Sequence, residues 1–327
     1  MRLTSIFGLA ATLATATAAA QVQAQALETV GRPVNGLMGF QPAATELARD
    51  IHNLDYMLLI IIGVISVFVT GLLIFVMLRF NGRANKKPAS FTHNSPLEIA
   101  WTVIPILILV FIGAFSLPVL FKQQEIPVAD ITIKATGNQW YWSYEYVQDG
   151  TAPVEGEEPL TFDSLMLDGS TKVASLGDDQ PIGTPQILDD IAISKLEALG
   201  YSREDWLLAT DTAVIIPAGK IVVVQTTGSD VIHSWTIPAF GVKQDAVPGR
   251  IGQLWFKADK EGVYFGQCSE LCGKSHAYMP ITVKVVSQPV YDQWIAAAKA
   301  AGGWVPLPNE VASVDAPMGA VRMAASN

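Results

Sequence analysis

Cysteine, histidine and charge are all scarce in this chain. Of 327 residues, 2 are cysteine and 4 histidine, and charged side chains make up 16 %, below the roughly 25 % of an ordinary soluble domain. The whole histidine stock is His52, His93, His233 and His276, too few to ligate haems as well as a metal site. No C-x-x-C-H run occurs, which excludes a fused haem domain of the c type. Basic side chains are few where they would matter most: from Gln123 onward 25 acids face 13 bases, against 5 and 8 before it. That sign disfavours nucleic acid as a partner, because phosphate must be neutralised by positive charge, and it favours a basic protein. The low charge and the 50 % apolar content place part of the chain in lipid.

The length predicts about two domains. Residues 1–26 carry Arg2, an apolar run of small residues from Ile6 to Ala20, and Ala24-Gln-Ala26, the pattern of a cleaved secretory signal. No cysteine lies near it to accept a lipid. A periplasmic segment over 27–54 should follow. Met57 to Leu78 and Ile99 to Phe121 are free of charge over 22 and 23 residues, and about 20 suffice to cross a hydrocarbon core. A buried core helix is disfavoured because these segments are apolar all round. A membrane hairpin over 55–122 is thus expected, in contact with lipid, with Pro105 and Pro118 kinking or ending the second helix. Arg79, Arg83, Lys86 and Lys87 lie in the connection, about 79–96, and assign it to the cytoplasm. Both ends of the mature chain are then periplasmic.

From Asp130 the pattern becomes short β-branched and aromatic runs separated by turn residues. Ile131–Ala135, Gln139–Tyr146, Ala213–Ile216, Ile221–Thr226, Gly252–Lys257, Val263–Phe265 and Ile281–Val286 read as strands of a sandwich or barrel over 123–300. Asp149 to Asp190 is acidic, rich in Gly and Pro and without period, an exposed excursion that reaches about residue 205. A short helix over Leu188–Leu199 lies within it, and a terminal helix is expected over Pro289–Ala300. Residues 301–327 form a tail, loosely ordered from Pro306.

Both cysteines fall in one stretch, Cys268-Ser-Glu-Leu-Cys272-Gly-Lys-Ser-His276-Ala-Tyr-Met279. Two thiols, an imidazole and a thioether at loop-like spacing suit a soft metal such as copper and offer nothing to magnesium or calcium. A disulfide is the ordinary fate of such a pair in an oxidising compartment, and it leaves His276 and Met279 without a part. Zinc would need His233 as a fourth ligand and would not use Met279. A mononuclear blue-copper site has no place for the second cysteine. Two thiolates bridging two coppers, with one histidine on each, would employ every donor.

The run C-S-E-L-C-G-x-S-H-A-x-M, the segment from His233-Ser-Trp to Pro248-Gly-Arg250, and Gly137-Asn-Gln-Trp140-Tyr-Trp-Ser-Tyr-Glu145-Tyr together resemble subunit II of bacterial cytochrome c oxidases. The similarity spans Asp55 to about Val286. It implies a two-helix transmembrane hairpin plus an all-β cupredoxin-like barrel in the periplasm, carrying the dinuclear copper centre CuA. By the same resemblance His233, Cys268, Cys272, His276 and Met279 are side-chain ligands and Glu270 gives its main-chain carbonyl. The Glu270 carboxylate is implied to reach a magnesium or manganese ion at the border with subunit I. Trp140 is implied as the entry point for electrons from cytochrome c, with Glu145, Asp211 and Asp230 as docking acids. The family commonly has histidine where this chain has Asn138. Glu98, at the edge of the second apolar stretch, matches the glutamate that marks a proton-path entry into subunit I; without the resemblance it is an acid at a helix N-terminus.

The implied function is electron entry from cytochrome c into a bacterial inner-membrane oxidase that reduces oxygen to water with proton translocation. Subunit I would hold the haems, and a subunit III is expected beside it. A quinol oxidase subunit would lack the cysteines. Nitrous oxide reductase, soluble and histidine-rich, is at odds with two membrane spans. A membrane-anchored copper-delivery or storage protein is the rival of a different class, and it leaves the aromatic run at Trp140 and the placement of Glu98 unexplained.

Overall fold

The computed structural model describes residues 27–87, 89–152 and 158–307. The expected signal, residues 1–26, and the tail beyond 307 lie outside them. The first helix, α1, spans Glu46–Arg79 and the second, α2, Ser95–Gln124. At about 1.5 Å per residue, α1 is about 51 Å long, well beyond the span of its charge-free stretch. Its first turn packs on the β-rich part of the chain. Thr45 caps α1 by accepting the Ala48 N–H at 3.0 Å, and its hydroxyl donates to the Phe240 carbonyl at 2.7 Å, while Leu47 and Ala48 are buried. A count of apolar residues finds the lipid-facing part of a helix and is blind to a polar first turn docked on protein. Lys122 near the end of α2 pairs with Glu46 and Asp50 of α1, each at 2.6 Å. Neither Pro105 nor Pro118 ends α2, contrary to one of the two expected outcomes.

The remainder is β-rich: β1 (Thr29–Gly31), β2 (Ile131–Asn138), β3 (Tyr141–Gln148), β4 (Thr161–Ser164), β5 (Val214–Pro217), β6 (Ile221–Gly228), β7 (His233–Ile237), β8 (Val242–Ala246), β9 (Gly252–Lys257), β10 (Gly262–Gln267) and β11 (Pro280–Val286). One sheet runs β1-β10-β11-β5 and the other β4-β3-β2-β6-β9, with β7-β8 as a separate hairpin. The short strands β1, β4, β7 and β8 carry too few residues for a clear period. β3 alternates strictly: Trp142, Tyr144 and Tyr146 are buried and Tyr141, Ser143 and Glu145 face outward. A strand displays successive side chains on opposite faces, so the aromatic-rich run needs no third surface. The terminal helix spans Gln288–Ala301 and buries Tyr291, Trp294, Ile295 and Ala298.

The acidic excursion is not an exposed appendage. Its helix, Asp190–Ala198, and neighbouring loops bury Leu167, Val173, Leu196, Leu199 and Tyr201 against Val263 and Phe265 of β10. Lys195 is 2 % exposed and donates to the carbonyls of Gly169 at 2.8 Å and Thr171 at 2.7 Å. Burying an ammonium costs several kcal/mol unless its protons are met, and these loop carbonyls meet two of the three. The apolar residues are spread over loops, so they have no period to betray a second small core.

Candidate metal centre

β10 and β11 are joined by the loop that holds both cysteines, and β7 begins at His233. The loop is closed by the Cys268 N–H on the Met279 carbonyl, 3.0 Å, and moored to β7 by the Ser269 N–H on the Ser234 carbonyl, 3.0 Å. Two glycines permit this approach. A Cβ at Gly266 would collide with the Thr236 carbonyl, and one at Gly137 would stand 2.7 Å from the His233 ring.

The Cys268 Sγ lies 3.8 Å from the Cys272 Sγ, 3.9 Å from His233 Nδ1 and 3.3 Å from the Glu270 carbonyl; the Cys272 Sγ lies 3.5 Å from His276 Nδ1. His233 is 0 % exposed, Met279 1 %, Cys272 3 % and Cys268 6 %, whereas His276 is partly exposed. The structure thus groups His233, Cys268 and Cys272, with His276 beside Cys272 and the Glu270 carbonyl beside Cys268, while Met279 is buried at the end of the same loop. The donors fit a soft ion: two sulfurs, two imidazole nitrogens facing them, a thioether and a carbonyl. The two cysteines are free thiols. Burial opposes ionisation of Cys268, yet hydrogen bonds from His233 and from neighbouring amides pull its thiol below the ordinary range. Burial and the adjacent Cys268 charge push the Cys272 thiol up.

Asp230 does more than offer surface charge. Its Oδ1 lies 2.8 Å from His233 Nε2, and its Oδ2 accepts the Gln139 N–H at 2.8 Å. It therefore orients the imidazole whose other nitrogen faces sulfur, a carboxylate–histidine arrangement common behind metals. Sequence reasoning placed Asp230 on the docking surface and missed this contact, although its i, i+3 spacing to His233 was available. Burial works against Asp230, but His233 and two amides hold its carboxyl below the usual range. Burial also works against protonation of His233; its bonds to Cys268 and Asp230 nevertheless raise it above the ordinary value.

Trp140 is partly buried, and its Nε1 donates to the Cys272 carbonyl at 3.1 Å. Gln139 Nε2 donates to the same oxygen at 2.9 Å, a partner the sequence did not single out. Glu145 pairs with Lys134 at 3.0 Å. The Glu270 side chain is exposed at the loop surface. Glu98 stands apart from the cluster, accepting the Asn94 N–H at 3.3 Å as part of the helix cap.

Asp211, expected as a docking acid, is held by main-chain amides. Its Oδ1 accepts the N–H groups of Leu165 at 2.8 Å and Thr212 at 2.9 Å, and burial raises its carboxyl to about 7. The folded state therefore binds this proton more tightly than the unfolded chain, so stability from this group falls as pH rises from about 4 to about 7. Asp211→Asn keeps the Oδ1 acceptor and removes the titratable carboxyl of this partly buried side chain. The variant should match the parent at pH 4 and exceed it at pH 8, on the order of a few kcal/mol at most, as read by thermal melts at both pH values. Equal stability at pH 8 would return Asp211 to the surface charges.

The chain is similar to known proteins over most of its length. The family described as cytochrome c oxidase subunit II, periplasmic domain, matches residues 131–181 and 187–286, and the transmembrane domain of the same subunit matches 33–119. Cytochrome c oxidase subunit 2 of Cereibacter sphaeroides is 58 % identical over 290 residues, covering 89 % of each chain. The Arabidopsis thaliana subunit is 37 % identical over 260 residues, covering 79 % of this chain and 88 % of its own. The crystal structure of the periplasmic domain of subunit II from Bradyrhizobium japonicum shares 40 % identity, covering 55 % of this chain and all of that one, with a TM-score of 0.40.

Proposed function

Because the chain belongs to the cytochrome c oxidase subunit II family, as a membrane-embedded part of a terminal oxidase, we propose that it is the electron-entry subunit, taking electrons from cytochrome c at a dinuclear copper centre and passing them to subunit I. The observation that carries this is the grouping of His233, Cys268 and Cys272, with His276 beside Cys272 and Met279 buried on the same loop, and the Trp140 indole hydrogen-bonded to the Cys272 carbonyl. Bound there, copper would be held by Cys268, Cys272, His233, His276 and Met279 and would supply a one-electron couple. The protein holds the donors in one geometry: Asp230 orients His233, and the loop closure at Cys268 and Met279 limits rearrangement. Trp140 lies between the cluster and the surface and is the contact through which a donor couples. A copper carrier would give that indole no task.

The charged connection between the helices is assigned to the cytoplasm, both termini to the periplasm, and the membrane to the bacterial inner membrane. Subunit I, subunit III and a basic cytochrome c are the proposed partners. The exposed Glu270 carboxylate, a hard oxygen donor, suits magnesium or manganese at the subunit I border. A visible and near-infrared spectrum of the purified oxidase containing this chain, with its copper content, tests the central assignment. A purple dinuclear signature supports it; a blue mononuclear or a colourless zinc-loaded site overturns it.

Glu98 is proposed as the entry of a proton path. Glu98→Gln retains an oxygen to accept the Asn94 N–H and loses the titratable group, so the helix cap should persist. Steady-state oxygen reduction is expected to slow while electron entry from cytochrome c keeps its rate. Unchanged turnover would leave Glu98 a capping residue.

A further inference from the structure

The family match passes over residues 182–186, and those residues run from the small core of the excursion to the cysteine loop. Gly183 donates its N–H to the Gly169 carbonyl at 2.8 Å, and Thr184 to Asp189 Oδ2 at 2.9 Å. Gln186 donates its N–H to Asp168 Oδ2 at 2.7 Å, and its side-chain Nε2 reaches Ser275 Oγ at 3.2 Å. The segment is closely fitted at its base: a Cβ on Gly183 would stand 2.5 Å from Asp189 Oδ2 and 3.0 Å from the Gly169 Cα. Beneath it, Lys195 ties Gly169 and Thr171 together. Gln186 has a φ of 58°, a left-handed conformation that costs a side-chain-bearing residue energy and persists only where surroundings hold it.

Ser275 is the residue before His276. It is buried, its carbonyl accepts the Tyr278 N–H at 2.9 Å, and the His276 N–H is held by the Gly273 carbonyl at 3.2 Å. The hydroxyl of Ser275 is thus where the excursion touches the turn that carries the more exposed histidine of the cluster. His233 has Asp230 behind it. Among the described contacts, Gln186 is the corresponding outer support for the His276 turn, acting one residue away.

We propose that segment 182–186 is a strap in which Gln186, through Ser275, positions His276 and controls how firmly the copper centre keeps its metal. The excursion is then a brace for the ligand loop as well as a source of negative charge. This rests on the copper assignment made above. Gln186 is a positioning residue, since its own atoms touch the loop and none of the ligand atoms.

The test uses the full-length chain in the purified oxidase, with Gln186→Ala, Ser275→Ala, the double variant and Gln186→Glu. Outer-sphere contacts of metal ligands are worth about 10-fold to 100-fold in metal affinity. Gln186→Ala is therefore expected to speed copper loss to a chelator by about tenfold, the low end of that range, and to shift the near-infrared band. Ser275→Ala should do the same, and the double variant no more than either, because both remove one contact. Gln186→Glu can accept the Ser275 hydroxyl proton; it should restore copper retention while lowering the potential of the centre through its added charge. Hydrogen exchange of amides 273–278 in the copper-free protein gives a second readout, with protection expected to fall in Gln186→Ala. Parent-like copper release and exchange in Gln186→Ala, or additive effects of the two alanine variants, would overturn the strap. A parent oxidase without dinuclear copper would instead refute the metal assignment, and the copper-free exchange measurement would still decide the strap.

Discussion

Replacing Cys268 or Cys272 with serine is expected to eliminate the dinuclear centre, leaving at most one copper per chain and no purple band. The Cys268 sulfur is within 3.9 Å of His233 Nδ1, Cys272 Sγ and the Glu270 carbonyl, and Cys272 is the one other cysteine in the chain. Serine preserves size, but a hydroxyl is a hard, weakly acidic donor that does not bridge soft ions. Electron entry from cytochrome c should fall by orders of magnitude, while the fold, whose core is the two sheets and their aromatic contacts, should melt close to the parent. Met279→Leu is the contrast: it removes one thioether from a 1 % exposed position and should shift the potential while copper stays. Metal analysis with the near-infrared spectrum reads both. Two coppers per chain in either serine variant would sink the bridging assignment.

Trp140→Gln should sharply slow electron transfer inside the complex with cytochrome c while leaving association and its salt dependence nearly intact. The indole contacts the main chain of Cys272, so its removal breaks the coupling route and alters no charge. The acids should fail differently, and differently from one another. Glu145 is paired with Lys134; Glu145→Gln frees that lysine's charge, so association with a basic partner should weaken and its ionic-strength dependence flatten, with transfer in the formed complex unchanged. Asp230→Asn should weaken association and also loosen His233, which shows as faster copper loss. Asp211, held by amides, should move stability with pH and association little. Flash or rapid-mixing kinetics at several salt concentrations separate affinity from the internal rate. If Trp140→Gln changed only affinity, the route through Cys272 would be wrong.

Part of the site was legible because it is local. Thiols four residues apart with imidazole and thioether in the same twelve-residue stretch suit a soft metal wherever the loop folds, and β-branched and aromatic runs on either side announce the strands that frame it. His233, thirty-five residues away, became readable only through its motif. Nothing in the order of residues says that Gly137 and Gly266 make room for it, since close backbone approach is a property of two strands and not of one. The docking acids illustrate the other side. Charge could be counted, yet whether a carboxylate meets solvent, a histidine or a pair of amides depends on what the fold sets opposite it.

By itself the sequence determined the two long apolar helices, the β character of the chain beyond them, the cluster of soft donors between Cys268 and Met279 and the negative balance. These depend on composition, on period and on donors close in the chain, all of which survive without knowledge of the fold. Only the tertiary structure decided that α1 begins inside the upper domain, that the acidic excursion buries a small core against β10, that Asp230 stands behind His233 and that Gln186 reaches Ser275. Each of those facts is a contact between segments that the fold, and not the chain order, sets side by side. Hydrogen bonds and close packing select partners by position in space, and a pattern along the chain carries no record of that position.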